Sequence, residues 1–177
     1  MEDYEKMSTD TTVKVLDPTV SSTSEKSTIA NRPESLEGYT VGLLSNGKKN
    51  SEELLRSVYD ILSKEHKLKK AVEYNKGNAS RPCPPDILNN LAKECDIVIT
   101  ASGDWGSCSS CSVHDGITLE KKGIPTAVIC TEPFVSSATA MSMISGIPGY
   151  PISVVPHPCL LYTSDAADDT PCVDLGG

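Results

Sequence analysis

No block of Lys or Arg occurs in this 177-residue chain, whose 16 basic residues are outnumbered by 24 acidic ones for a net charge of -8. With a pI near 4.8, the chain lacks the electrostatic footprint that binding a phosphate backbone or an anionic membrane surface requires. Nucleic-acid and membrane partners are therefore not expected. No apolar run approaches the roughly 20 residues of a membrane-spanning helix. The opening residues, MEDYEKMSTD, offer neither the basic start nor the apolar stretch of a secretory signal. A cytoplasmic location is the expectation. A length of 177 residues allows one domain and little more. The seven cysteines are odd in number and unevenly spaced, so reduced thiols are expected in place of a disulfide framework.

Both ends stand apart from the middle. Residues 1–37 are rich in Ser, Thr, Glu and Asp, with one apolar patch at Val13, Val15 and Leu16, and read as a mobile arm that buries too little to offset its ordering entropy. From Cys159 the chain runs CLLYTSDAAD and closes on CVDLGG. Both strings resemble the conceptual translation of a sequencing adapter. Residues 159–177 are accordingly set aside, with four acids (Asp165, Asp168, Asp169, Asp174) and two cysteines, and the domain spanning 38–158 is expected to be truncated at its C-terminus.

Between these ends, short apolar runs alternate with helical periodicity. Strands are expected at Tyr39 to Ser45, Leu68 to Tyr74, Cys95 to Ala101, Thr126 to Cys130 and Ile152 to Val155. Helices are expected from Ser51 to about His66, with Ser51 capping, from the Pro84-Pro85 pair to Glu94, from about Ser107 to Lys122, and from Val135 to Ile144. Strands separated by single helices imply right-handed crossovers. The expected fold class is therefore α/β, a three-layer Rossmann- or flavodoxin-like fold with about five mainly parallel strands. Ligands of such sheets sit beyond the carboxyl ends of the strands, where strand order reverses. Residues 45–50, 102–111 and 131–137 fall on that edge.

The densest chemistry lies in SGDWGSCSSCSVHDG, where Cys108 and Cys111 stand three apart at an expected helix start. Free N–H groups and a partial positive charge there would lower a thiol pKa toward a reactive thiolate. Asp115 shares the helix face of the two cysteines, and His114, three beyond Cys111, is placed to exchange protons with it. A zinc site would need two more ligands, and Cys83, Cys95 and His157 form no second pair. A dinucleotide fingerprint fails too, because Gly103 and Gly106 lack the third glycine at the required spacing. A further alternative stays open on the residues alone: small side chains here permit close packing of strand and helix.

GDWGSCSSCSVHDG, continuing through LEKKGIPTAVICTEPF to GYPISVVPHP, resembles the UGSC-type proteins, named for selenocysteine-Gly-Ser-Cys, with Cys replacing selenocysteine in many members. KVLDP, VGLLSNGKKN, NASRPCPP and CDIVIT fit as well, so the resemblance runs from about Val13 to Pro158. More distantly it is similar to the selenocysteine region of component B of the glycine, sarcosine and betaine reductases. Where the family carries selenocysteine or cysteine, this sequence has Trp105, its only tryptophan. Selenocysteine is encoded by UGA, a codon some genetic codes read as Trp, and Trp105 is read here as standing for such a codon. A genuine Trp would leave the chain without the family's main nucleophile.

The resemblance implies a selenol- or thiol-dependent reductase-like activity on a small organic substrate. Position 105 would attack, Cys108 would resolve, Cys111 would assist, and His114 would donate a proton to a leaving group. A thiol or protein electron donor and self- or hetero-association are the implied partners; no nicotinamide, flavin or metal is called for. Asn46 and Lys48 in the turn after the first strand, Arg81 after the second, Asp104 after the third and Glu132 after the fourth are the candidate substrate-binding residues. The competing reading is a non-catalytic ligand-binding module or a subunit of a larger reductase complex.

Overall fold

The computed structural model describes residues 28–157. The patch at Val13 to Leu16 and the segment 159–177 lie outside them. Five strands, β1 (Thr40–Ser45), β2 (Lys70–Asn75), β3 (Ile97–Gly103), β4 (Thr126–Thr131) and β5 (Ser153–Val155), alternate with four helices, α1 (Ser51–Glu65), α2 (Pro85–Glu94), α3 (Gly106–Lys121) and α4 (Val135–Ile144). The strands form one sheet in the order β2-β1-β3-β4-β5, and every pairing is parallel. This is a three-layer doubly wound fold with flavodoxin-like strand order. The order reverses between β1 and β3, the position at which sheets of this kind generally bind their ligands.

Alternation along the strands builds the two faces. Val41, Leu43, Ile97 and Ile99 point to one side, where Leu54, Leu55 and Val58 of α1 cover them. Leu44 and Val98 point to the other, against Leu88 and Leu91 of α2 and Leu119 of α3. Val113 and Ile117 of α3 continue that layer over Val128 and Cys130 to Ala138 of α4. Each buried aliphatic side chain contributes about 1.5–3 kcal/mol relative to exposure, so these stripes hold the crossovers on the sheet.

Several boundaries move for identifiable reasons. The third strand begins two residues late, because the Cys95 N–H closes α2 on Leu91 O and the Asp96 carboxylate accepts the Thr40 N–H at 2.8 Å. Ser51 does not cap α1. Asn50 takes the cap position at φ 66 without a side-chain cap bond, a conformation Asn tolerates better than most residues. The buried Ser51 hydroxyl donates instead to Ala101 O at 2.8 Å and lies 3.1 Å from Ser45 Oγ, tying β1 to β3 at the reversal point.

The described part of the N-terminal arm is pinned. Arg32 forks onto Glu120 of α3 at 2.9 and 2.8 Å, and the Ala30 N–H donates to the same carboxylate at 2.7 Å. Glu120 also accepts the Thr126 N–H at 2.8 Å. A fully buried carboxylate with this many donors holds residues 30–32 where composition alone predicts mobility.

Candidate active site at the start of the third crossover helix

Gly103 sets the approach of α3 to the sheet. A Cβ there would strike the Cys130 sulfur and come within 2.8 Å of Ser109 Oγ and 3.1 Å of Ser109 Cα. Because the last of these is helix backbone, the strain cannot be shed by rotating a side chain. Gly103→Ala is expected to cost about 1–3 kcal/mol, as overpacking typically does. Urea denaturation would read the cost, and an unchanged midpoint would contradict this close approach.

Close docking puts Trp105 at the N-cap of α3, in extended backbone with no side-chain cap bond. Its carbonyl accepts the Ser109 N–H at 2.9 Å and the Ser109 hydroxyl at 2.8 Å. The first helical N–H groups therefore present their partial positive charge at position 105. The Trp105 side chain is 41% exposed and tilts against Phe134 with ring centroids 5.9 Å apart. Phe134 in turn meets His157 edge-on at 5.8 Å, and His157 Nδ1 lies 3.2 Å from Thr131 Oγ1.

Cys108, one turn into the helix, is only 2% exposed. Its sulfur lies 4.0 Å from Ser80 Oγ, and the same hydroxyl reaches Ser107 Oγ at 3.1 Å. The loop between β2 and α2 thus drapes over the start of α3. Cys111 is partly exposed. Its pKa is raised by burial, with Lys76 opposing the shift and Asp115 and Cys108 adding to it. The expectation of a depressed pKa does not hold for Cys111, because the helix-end field fades within the first turn. Burial also lifts Cys83 to about 12 and Cys95 and Cys130 to about 11, so these three are structural thiols.

The other sequence-selected residues divide. Lys48 and Asp104 do meet across the reversal point, Nζ to Oδ1 at 3.1 Å, so the two charges offset each other. Asn46 is wholly buried. Its amide donates to Ser102 O at 2.7 Å and accepts the Lys48 N–H at 3.2 Å, which shapes the edge instead of lining it. Arg81 and Glu132 are exposed; Glu132 merely begins the short turn of 3-10 helix, Glu132–Phe134, that delivers Phe134.

His114 is displaced from the expected role. Nine residues of helix separate it from position 105, roughly 13 Å along the axis at about 1.5 Å per residue, beyond direct proton transfer. It lines a cleft of about 380 Å³ between α2 and α3 with Pro82, Cys83, Leu88 and Thr118. Its Nδ1 lies 3.5 Å from Asp115 Oδ1.

Sequence reasoning named none of Ser80, Lys76 and Phe134 as site residues and weighed His157 only as a metal ligand. Lys76 follows β2, and its side chain is fully buried with that of Asp115, Nζ to Oδ2 at 2.6 Å. Asp115 Oδ1 accepts the Cys83 N–H at 2.8 Å. The one available signal was the position of Lys76 beside Asn75 and Gly77 at a strand end; its partner lies 39 residues away.

A doubly wound α/β sheet with a thiol-bearing helix start at its reversal point defines the class. Among the described residues no helix is long and apolar enough to cross a membrane. The chain belongs to the UGSC family, whose family model matches residues 14–170. No curated protein matches the chain, and no solved structure does.

Proposed function

We propose that this chain represents a selenol- or thiol-dependent reductase-like enzyme acting on a small organic substrate, with position 105 as the attacking group. The observation that carries this reading is the placement of an exposed position 105 at the uncapped N-terminus of α3, with Cys108 one turn behind it. An anionic chalcogen is stabilised there by the free N–H groups and the helix dipole.

The chemistry balances in two steps. A selenolate or thiolate at position 105 attacks an activated carbon, forming a carbon–chalcogen bond while the leaving group departs with its electron pair. Cys108 thiolate then attacks the chalcogen; the bond between them forms, and the carbon leaves with its electron pair and takes a proton. The substrate is reduced by two electrons, and an external thiol or protein donor restores the pair. The proton reaches the departing carbon from solvent, which has access to the exposed position 105.

The second reading, a ligand-binding module or complex subunit, draws on Trp105 itself. An indole tilted against Phe134 supplies no nucleophile, and Cys108 behind it is buried. The codon at position 105 decides between the two. UGA with a selenocysteine-insertion hairpin is the expected result, and UGG would remove the selenol reading and favour the binding module.

A further inference from the structure

From Pro133 to Pro156 the chain contains no Asp, Glu, Lys, Arg or His. That stretch builds α4 and β5, the last helix and an edge strand of the sheet. One face of α4 is spent on the core: Ala138 packs with Val128 and Cys130 of β4, and Met141 lies against the same cluster. At about 100° per residue the opposite face carries Ser136, Ala140, Met143 and Ile144. All four are exposed, Met143 at 61% and Ile144 at 74%. The edge strand adds to them. Val154 is in parallel register with Cys130, so both point to the side of the sheet that α4 covers. Cys130 is sealed there, whereas Val154 remains 48% exposed. Helix and strand thus present apolar side chains on one layer of the molecule without a charge among them.

We propose that this face is the contact between two copies of the chain, related by a two-fold axis. Such a contact brings groups near the axis against their own copies, so a charge there would meet a like charge; a charge-free face associates with itself without that penalty. A different protein would be selected and oriented by opposite charge, and this face offers none to read. Depletion of charge and enrichment of Met are also what the centre of a protein interface shows. A ten-residue helix and a three-residue strand make a contact at the small end of the stable range, so a dimer half-formed at on the order of 10 µM is expected. The net charge of -8 per chain adds long-range repulsion that salt screens. Association is therefore expected to tighten roughly threefold between about 0.05 and 0.5 M salt, opposite to a contact held by ion pairs.

Sedimentation equilibrium of the full chain, from about 1 to 300 µM, is the test. Ile144→Glu sets a like charge on each side of the contact and is expected to weaken association at least roughly tenfold. Val154→Glu repeats the test from the edge strand, with the same expectation. Ile61→Glu, at an exposed position on α1, is the control and leaves association unchanged. Circular dichroism verifies that each variant is folded. A chain that stays monomeric throughout overturns the proposal, whether residues after His157 or another protein cover the face. So does a dimer that folded Ile144→Glu or Val154→Glu leaves intact, one that Ile61→Glu weakens equally, or one that loosens as salt rises. No thiol and no reaction enters the measurement, so its result leaves the assignment of position 105 untouched.

Discussion

Asp115→Ala is expected to lower the stability of the fold by about 3–5 kcal/mol, the usual cost of removing one partner from a buried ion pair. The substitution strands the Lys76 ammonium, whose side chain has no solvent contact, and leaves the Cys83 N–H without the carboxylate that accepts it. A domain of this size has about 5–15 kcal/mol in total, so the loss is a large share of it. Removing both charges together is a different matter. Lys76→Met/Asp115→Asn retains a side-chain oxygen for the Cys83 N–H and replaces the ammonium by an apolar chain of similar length, so it is expected to lie near the parent in stability. Urea titrations of the three proteins provide the check. Equal losses in the single and double variants would mean that packing, and not the unpaired charge, sets the cost.

Trp105→Cys is expected to create a thiol that reacts with an aromatic disulfide at least roughly tenfold faster at neutral pH than an ordinary exposed cysteine. The new sulfur stands at the N-cap of a sixteen-residue helix that lacks a side-chain cap, where the unsatisfied N–H groups favour its anion. The first exchange releases one aromatic thiolate. Cys108, three residues on, then attacks the adduct at position 105, closes a 105–108 disulfide and releases a second. Two thiolates per chain from this pair, and a peptide cross-link between residues 105 and 108, are the expected outcome. Adding Cys108→Ser should stop the reaction at one. A Cys at position 105 with ordinary reactivity and no cross-link would remove the nucleophile assignment and leave the binding module as the better account.

The fold class was legible because its signals are local. Branched runs such as Ile97 to Thr100 and the helical spacing of Leu54, Leu55, Val58 and Leu62 record burial on a strand or a helix face directly in the sequence. Errors fell where a tertiary bond overrode local preference. Ser51 looks like a helix cap but spends its hydroxyl on Ala101, fifty residues away. Arg32 and Ala30 lie in a polar segment and are held by Glu120.

By itself the sequence determined the alternation of elements, the sheet edge on which the candidate site residues fall, and the motif from Trp105 to Cys111 with its family resemblance. Only the tertiary structure decided the reversal of strand order between β1 and β3, the separation of His114 from position 105, the arrival of Phe134 beside position 105, and the burial of Lys76 against Asp115. The physical reason is one of range. Helix and strand periodicity is imposed by neighbours within a few residues, whereas Lys76 meets Asp115 and Trp105 meets Phe134 only because the crossovers bring distant segments to one edge of the sheet.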